Sequence, residues 1–268
     1  MIKLIATDID GTLVKDSSPK VAVEIPKVMH SLMERGKICC VASGRQFYSI
    51  ASVFHEVADK IVYIAENGAH IRYQGENLFV QKMNREHAVD IIEDFRRYRY
   101  HTPDSPLEIV VSTPDGSYLE TSNQNFIDLI HHSYHNKYQV TQDILAEDIT
   151  IIKIAFYQKG SIRSLGENIL IPQWDTKVKT CMAGEEWVDF MDSTVDKGHA
   201  LKFLQEYFRI SKEETMAFGD NANDIGMLQT AGESYAVENA REEVKQEAKY
   251  VCPPYWELGV YQVLKQLK

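Results

Sequence analysis

The sequence predicts an α/β protein, a parallel sheet with crossover helices that is interrupted by an α+β insert. Two observations carry this prediction. Short apolar, β-rich runs alternate with helical stretches at both ends of the chain. Between 84 and 184 the sequence pattern changes, with a more polar predicted helix and residues typical of a β-hairpin. We therefore expect one domain formed by 1–83 and 185–268 and a second formed by 84–184.

The first part of the larger domain alternates strands with amphipathic helices. The predicted elements are a strand at 3–7, a helix at 20–35 ended by Gly36, a strand at 38–42, a helix at 46–54 and a strand at 60–68 that ends at Asn67-Gly68. The strands are apolar on both faces, which is typical of buried parallel strands.

The insert and the closing part of the chain follow. In the insert we expect a helix at 85–98, a hairpin around the Pro-Asp-Gly of "LEIVVSTPDGSYLET", a helix at 123–135 and a strand at 150–157. A short helix and a further pair of strands that ends at about 184 complete it. After "EEWVDFMD" the first pattern returns, with helices at 198–208, 221–230 and 242–249, strands at 215–218 and 234–237, a capping box at Ser211 and Glu214, and an amphipathic end at 256–267.

Composition narrows the class of protein. The 268 residues are 44% hydrophobic and 25% charged, as in an ordinary globular protein. The net charge of −10 argues against nucleic acid as the main partner, although a bound metal can still attract a small anion into one cleft. No apolar run approaches the roughly 20 residues of a membrane span, and no signal peptide is evident. These features, with four cysteines that lack a Cys-x-x-Cys spacing, predict a cytoplasmic protein without membrane contact.

The first strand ends in two aspartates. Asp8 and Asp10 are two positions apart on an extended chain, so their side chains point the same way and both can face one site before the turn at Gly11. Ligands of open parallel sheets lie at the carboxyl ends of the strands. Two close carboxylates need a cation or a shared proton, and Mg²⁺ suits such a place. The competing interpretation is a pair of solvated aspartates in a turn.

A second acidic pair follows a later strand. In "MAFGDNANDIGML", Asp220 and Asp224 stand after Gly219 at the start of a helix. Helix capping alone would explain acidic residues at this position. The polar residues packed around them, Asn221 and Asn223, exceed what a cap requires.

Two further motifs could bind an anion. The second strand ends in Ser43 followed by Gly44, where a hydroxyl and backbone N–H groups could hold phosphate oxygens, although a helix-capping serine is the simpler interpretation. Lys197 begins a helix beside a possible cap, Asp196. A lysine there is usually solvated, but helix N-termini disfavour positive charge, so a nearby anion would explain it.

In chain order these motifs resemble the four motifs of the haloacid dehalogenase (HAD) superfamily. They are Asp8-x-Asp10-Gly-Thr-Leu, Ser43, Lys197-Gly198 and Gly219-Asp220-x-x-x-Asp224. The stretch from 219 to 251 is similar to the Cof-type hydrolases, phosphatases of subfamily IIB. The resemblance implies a Rossmann-like HAD core over 1–83 and 185–268 and an α/β cap, which selects substrates, over 84–184.

The resemblance also implies a phosphoaspartyl mechanism. Asp8 would be the nucleophile, and Asp10 would donate and then accept the proton. Mg²⁺ would be held by Asp8, the backbone carbonyl of Asp10, Asp220 and Asp224, the last directly or through a water. The phosphoryl group would be held by Ser43, Gly44, Lys197 and Asn223.

The implied function is a Mg²⁺-dependent phosphatase for small phosphorylated metabolites, with sugar phosphates as the leading class. A phosphomutase or phosphotransferase is the closest alternative, and a non-catalytic binding protein is disfavoured because the four motifs are intact. His131 and His135 have a metal-chelating spacing, but a surface helix explains them as well. The sequence specifies neither the substrate nor an oligomeric state.

Overall fold

The computed structural model describes residues 1–15, 18, 20–99 and 106–267. The chain divides into two compact units. One consists of Met1–Phe79 with the chain from Asp196 onward, and the other is Val80–Val195. These limits lie slightly outside the predicted insert boundaries, 84 and 184.

The strands and helices are numbered in chain order. The strands are β1 (Leu4–Thr7), β2 (Ile38–Ala42), β3 (Val62–Ala65), β4 (His70–Tyr73), β5 (Glu76–Val80), β6 (Glu108–Thr113), β7 (Gly116–Glu120), β8 (Tyr138–Thr141), β9 (Lys153–Tyr157), β10 (Lys179–Met182), β11 (Trp187–Met191), β12 (Thr215–Gly219), β13 (Glu233–Val237) and β14 (Tyr250–Cys252). The helices are α1 (Glu24–Glu34), α2 (Phe47–Val53), α3 (Arg85–Tyr98), α4 (Gln124–Asp128), α5 (Arg163–Leu165), α6 (Ile171–Trp174), α7 (Lys197–Phe208), α8 (Ile225–Thr230), α9 (Glu242–Glu247) and α10 (Gly259–Leu264).

The first unit is built on an eight-stranded sheet in the order β14-β13-β12-β1-β2-β3-β4-β5. The strands from β14 to β3 pair in parallel, as the apolar runs predict, and β4 turns back antiparallel on β3. The central strand β1 is completely buried. α1 covers the sheet with Ile25, Met29 and Leu32, which share one face of the helix.

The register of the parallel strands determines where their ends lie. Thr7 stands opposite Val41 of β2 and Phe218 of β12, and Ala42 stands opposite Ile64 of β3. All four strands therefore end at one edge of the sheet. The segments that follow them begin there, so this edge collects Asp8, Ser43, Glu66 and Asp220.

The second unit contains a six-stranded sheet in the order β10-β11-β9-β6-β7-β8. The predicted hairpin is confirmed, because β6 and β7 pair antiparallel around Pro114-Asp115. The strand β11, which follows the predicted boundary at 185, pairs with β9 and β10 and so belongs to this sheet. No helix in the described ranges has both the length and the apolar character that a membrane crossing requires.

Candidate active site

A buried lysine joins two aspartates at the carboxyl edge of the first sheet. The Lys197 Nζ donates hydrogen bonds to Asp8 Oδ1 and to Asp224 Oδ1, each at 2.7 Å. Lys197 is 1% exposed and Asp8 5% exposed. Burial alone would lower the pKa of Lys197, but the charges of Asp224 and Asp8 raise it above its usual range. The ammonium therefore stays charged inside the protein.

The helix that presents Lys197 begins with a side-chain cap. Asp196 Oδ1 accepts hydrogen bonds from the backbone N–H groups of Gly198 and His199 at 2.7 and 3.3 Å. This cap fixes the first turn of α7 and thereby the starting point of the lysine side chain. The cap suspected from the sequence is thus present.

Asp224 holds the loop that follows β12. Its Oδ2 accepts hydrogen bonds from the backbone N–H groups of Asp220 and Asn221 at 3.0 and 3.1 Å. Because its Oδ1 binds Lys197, both carboxylate oxygens are engaged. Asp224 is completely buried, so it links the loop rigidly to the lysine.

Asp220 lies against the turn at Gly11. Its Oδ1 accepts a hydrogen bond from the Thr12 hydroxyl at 2.8 Å. A Cβ atom on Gly11 would lie 2.2 Å from Asp220 Oδ2, and Gly11 has a φ of +86°, so only glycine fits. Burial first, and then the charge of Asp224, raise the pKa of Asp220 to about 6.

The three carboxylates fit a divalent cation. One oxygen each of Asp8, Asp220 and Asp224 lies within 4.8 Å of the others. Asp8 Oδ2 is buried and has no hydrogen-bond partner in the described part of the chain. Burial, and then the charge of Asp224, hold the pKa of Asp8 well above its usual range, and Lys197 opposes them only in part. A hard cation with oxygen ligands would offset the excess negative charge of the three carboxylates.

The Asp10 carboxylate makes a different contact. Arg45 Nε and one of its terminal nitrogens donate to the two oxygens of Asp10 at 2.7 and 2.5 Å. The same guanidinium donates to the carbonyl of Ser18 at 3.0 Å. This two-pronged pairing, with both side chains mostly buried, fixes the orientation of Asp10 beside the acidic cluster.

Two of the predicted phosphate-binding residues, Gly44 and Asn223, meet at the side chain of Asn67. The amide of Asn223 donates to Asn67 Oδ1 at 2.9 Å. Gly44 lies directly under the Asn67 amide, since a Cβ atom on Gly44 would lie 3.1 Å from Asn67 Oδ1. The Ser43 hydroxyl accepts a hydrogen bond from the backbone N–H of Arg45 at 3.1 Å and so also shapes the turn.

Sequence reasoning assigned no functional role to Arg45 or Asn67. The signals were present, because Arg45 directly follows Ser43-Gly44 and Asn67-Gly68 ends a buried strand as Asp8 and Ser43 do. His131 and His135 form no metal-binding group with a third ligand in the described residues, where the aspartate triad is the one such group found.

Comparison with known proteins agrees with this arrangement. The family model of the haloacid dehalogenase-like hydrolases matches residues 5–264. The 5-amino-6-(5-phospho-D-ribitylamino)uracil phosphatase YbjI of Escherichia coli K12 is 28% identical to this chain, and the alignment covers 99% of this chain and 96% of the relative. A crystal structure from Eubacterium rectale is 39% identical, with a TM-score of 0.84 over 98% of each chain. TM0651 from Thermotoga maritima is 28% identical, with a TM-score of 0.84 over 100% of this chain and 98% of the other.

The match extends over nearly the whole sequence, and the residues that carry the family motifs are those that the structure gathers at one sheet edge. The chain therefore belongs to the haloacid dehalogenase-like hydrolases and is a phosphatase of the Cof type.

Proposed function

We propose that this chain is a Mg²⁺-dependent phosphatase that hydrolyses small phosphorylated metabolites, sugar phosphates foremost, through a phosphoaspartyl intermediate. The observation that carries the proposal is the state of Asp8. Its carboxylate is buried at the end of β1, one oxygen is held by Lys197, and the other has no hydrogen-bond partner among the described residues. A rigid carboxylate with one uncommitted oxygen is suited to attack phosphorus.

The reaction needs two displacements at phosphorus. An oxygen of Asp8 attacks and the ester P–O bond breaks, while Asp10, which must enter this step as the carboxylic acid, gives its proton to the departing alcohol oxygen. Water then attacks the same phosphorus while Asp10 takes its proton, and the bond to Asp8 breaks. The products are the alcohol and inorganic phosphate, Asp8 is again a carboxylate, and Asp10 again carries its proton.

The cation would be held by Asp8, Asp220 and the backbone carbonyl of Asp10. Both oxygens of Asp224 already accept hydrogen bonds, which favours a supporting role for this residue. When bound, a divalent cation supplies positive charge that keeps the carboxylates ionised and polarises a phosphoryl oxygen. Mg²⁺ is favoured because the available ligands are oxygens and it readily retains waters and phosphate oxygens.

The transferring phosphoryl group would be bound by Ser43, Gly44, Lys197 and Asn223. Lys197 supplies the buried positive charge, and the polar groups around Gly44 supply hydrogen-bond donors. These interactions matter most when charge builds up on the equatorial oxygens during transfer.

The leading substrate class follows from the relatives. The name of the E. coli relative describes a phosphate ester on a ribityl chain, which is chemically a sugar-alcohol phosphate. We propose that the unit Val80–Val195 selects among such esters, since the residues assigned to the chemistry all lie in the other unit. We also propose a cytoplasmic location, which the absence of disulfides from the four cysteines supports.

A substrate panel tests the proposal. Wild type and Asp8→Asn would be incubated with sugar phosphates, nucleotides, FMN, pyridoxal phosphate and 5-amino-6-(5-phospho-D-ribitylamino)uracil, with Mg²⁺ or with EDTA. We expect wild type to release one inorganic phosphate per alcohol formed, only with Mg²⁺. Asp8→Asn should be inactive but folded, and still stabilised by Mg²⁺ on heating.

Each other outcome has a definite meaning. Undiminished hydrolysis by Asp8→Asn would overturn the assignment of the nucleophile. Phosphate that moves to another position or to an added sugar without release would identify a mutase or a phosphotransferase.

A further inference from the structure

The turn after β3 has an unusual backbone. Glu66, Asn67 and Gly68 have φ values of 50°, 56° and 107°, so three successive residues lie in or near the left-handed region. Residues with side chains rarely adopt this conformation, and they keep it only where the surroundings determine it. Glu66 is 1% and Asn67 7% exposed, so the turn is packed on all sides.

Backbone hydrogen bonds tie this turn to the segment after β2. The Asn67 N–H donates to the Ser43 carbonyl and the Glu66 N–H to the Arg45 carbonyl, each at 3.0 Å. The Asn67 side chain then lies over Gly44 at a distance that leaves little room for any other residue there. The turn therefore determines the path of the chain at the proposed phosphate-binding residues Ser43 and Gly44.

The same side chain reaches the loop after β12. Asn67 Oδ1 accepts the hydrogen bond from Asn223 Nδ2 at 2.9 Å, across 156 positions of sequence. Asn223 is itself exposed, so this contact limits its amide to fewer orientations. Of the two amides, Asn67 is the buried and fixed partner.

The third residue of the turn approaches the start of α7. A Cβ atom on Gly68 would lie 2.5 Å from the Asp196 carbonyl oxygen and 3.3 Å from the Lys197 nitrogen. One turn thus contacts the three segments that carry Ser43-Gly44, Lys197 and Asn223.

We propose that Asn67 is a positioning residue for phosphate binding, and that it acts by holding the Asn223 amide toward the phosphoryl group above Gly44. The inference rests on the phosphate site of the proposed function. The left-handed conformation at position 67 explains why the residue is asparagine, because asparagine tolerates this conformation and also carries the amide oxygen that accepts the hydrogen bond from Asn223.

The test uses Asn67→Gly, which removes the amide but keeps a residue that accepts a positive φ. Gln74→Gly is the matched control, because Gln74 has a φ of 49° in an exposed turn away from the site. Binding of inorganic phosphate in the presence of Mg²⁺ would be measured by calorimetry, and unfolding by urea. We expect Asn67→Gly to weaken phosphate binding about 5- to 10-fold and Gln74→Gly to leave it unchanged.

A double-mutant cycle separates positioning from a general structural effect. In an Asn223→Ala background, Asn67→Gly should weaken phosphate binding less than twofold, because its target is gone. Wild-type affinity in Asn67→Gly, or the same fold-loss with and without Asn223, would overturn the inference. If wild type bound phosphate but hydrolysed no ester, the proposed function would fail while this inference would still be decided by the titrations.

Discussion

Replacing Asp220 with asparagine is expected to stabilise the metal-free protein at neutral pH. The pKa of Asp220 is raised from 3.8 to about 6, first by burial and then by the charge of Asp224, against the opposing effects of Thr12, Asp8 and Lys197. In the unfolded chain an aspartate titrates near 3.9. Between these two values the folded state binds more protons, so stability falls as pH rises through the window of about 4 to 6 and stays reduced above it.

The magnitude follows from the size of the pKa difference. About two units at 1.36 kcal/mol each give a cost of up to about 3 kcal/mol for the ionised carboxylate at pH 7. Asparagine keeps an acceptor oxygen for the Thr12 hydroxyl, so that hydrogen bond survives. The charge of Asp220 also raises the pKa of Asp8, and its removal therefore acts in the same direction.

The assay compares urea unfolding of wild type and Asp220→Asn in EDTA at several pH values from 4 to 8. The advantage of the variant should be close to zero near pH 4 and approach its full value above pH 6.5. Saturating Mg²⁺ is the internal control, because it should reverse the order by stabilising wild type. A difference that does not change with pH in EDTA, or a less stable variant at pH 7, would refute the reasoning.

Two further substitutions probe the site. Gly11→Ala should reduce activity more than tenfold and raise the Mg²⁺ concentration needed for activity, because the new Cβ atom would collide with Asp220. Gly36→Ala is the control, since Gly36 has a similar φ and no described residue lies close to the position of a Cβ atom there. This control should lose only about 1 kcal/mol of stability and no activity. Arg45→Met should slow hydrolysis of alkyl phosphates at least tenfold more than that of 4-nitrophenyl phosphate, since a poor leaving group depends on the proton from Asp10. If Arg45→Met slowed hydrolysis of both ester types equally, this would argue against orientation of Asp10 by Arg45. If the two glycine variants lost activity equally, this would argue against a collision with Asp220.

The edge that carries the site could be predicted from the sequence. Asp8, Ser43 and Asp220 each follow a short apolar run, and parallel strands bring their carboxyl ends together whatever the details of packing. The local sequence pattern was enough to predict this edge, because the position of the strand ends depends only on the strands being parallel. The pairing of Lys197 with Asp8 and Asp224 could not be derived this way, since it depends on where α7 enters the layer.

Polar strands and long-range contacts were harder to predict. β4 and β5 were not predicted, because His70, Arg72, Glu76 and Asn77 break the apolar pattern of strands at this end of the sheet. The apolar sequence of β11 would suit a strand of either sheet, and only its pairing with β9 assigns it to the second unit. The contact of Asn67 with Asn223 joins two residues whose types fit an ordinary turn equally well.

The charge balance of the site explains how an acidic chain can accept an anionic substrate. When ionised, Asp8, Asp220 and Asp224 carry three negative charges, and Lys197, which is shared between Asp8 and Asp224, balances one of them, so two remain. A phosphate ester would be repelled by this cluster. One divalent cation would make it neutral, and under the proposed function the incoming phosphate would then meet the lysine, the backbone around Gly44 and the Asn223 amide without opposing charge. The net charge of −10 is therefore compatible with anion binding at a site that holds such a cation.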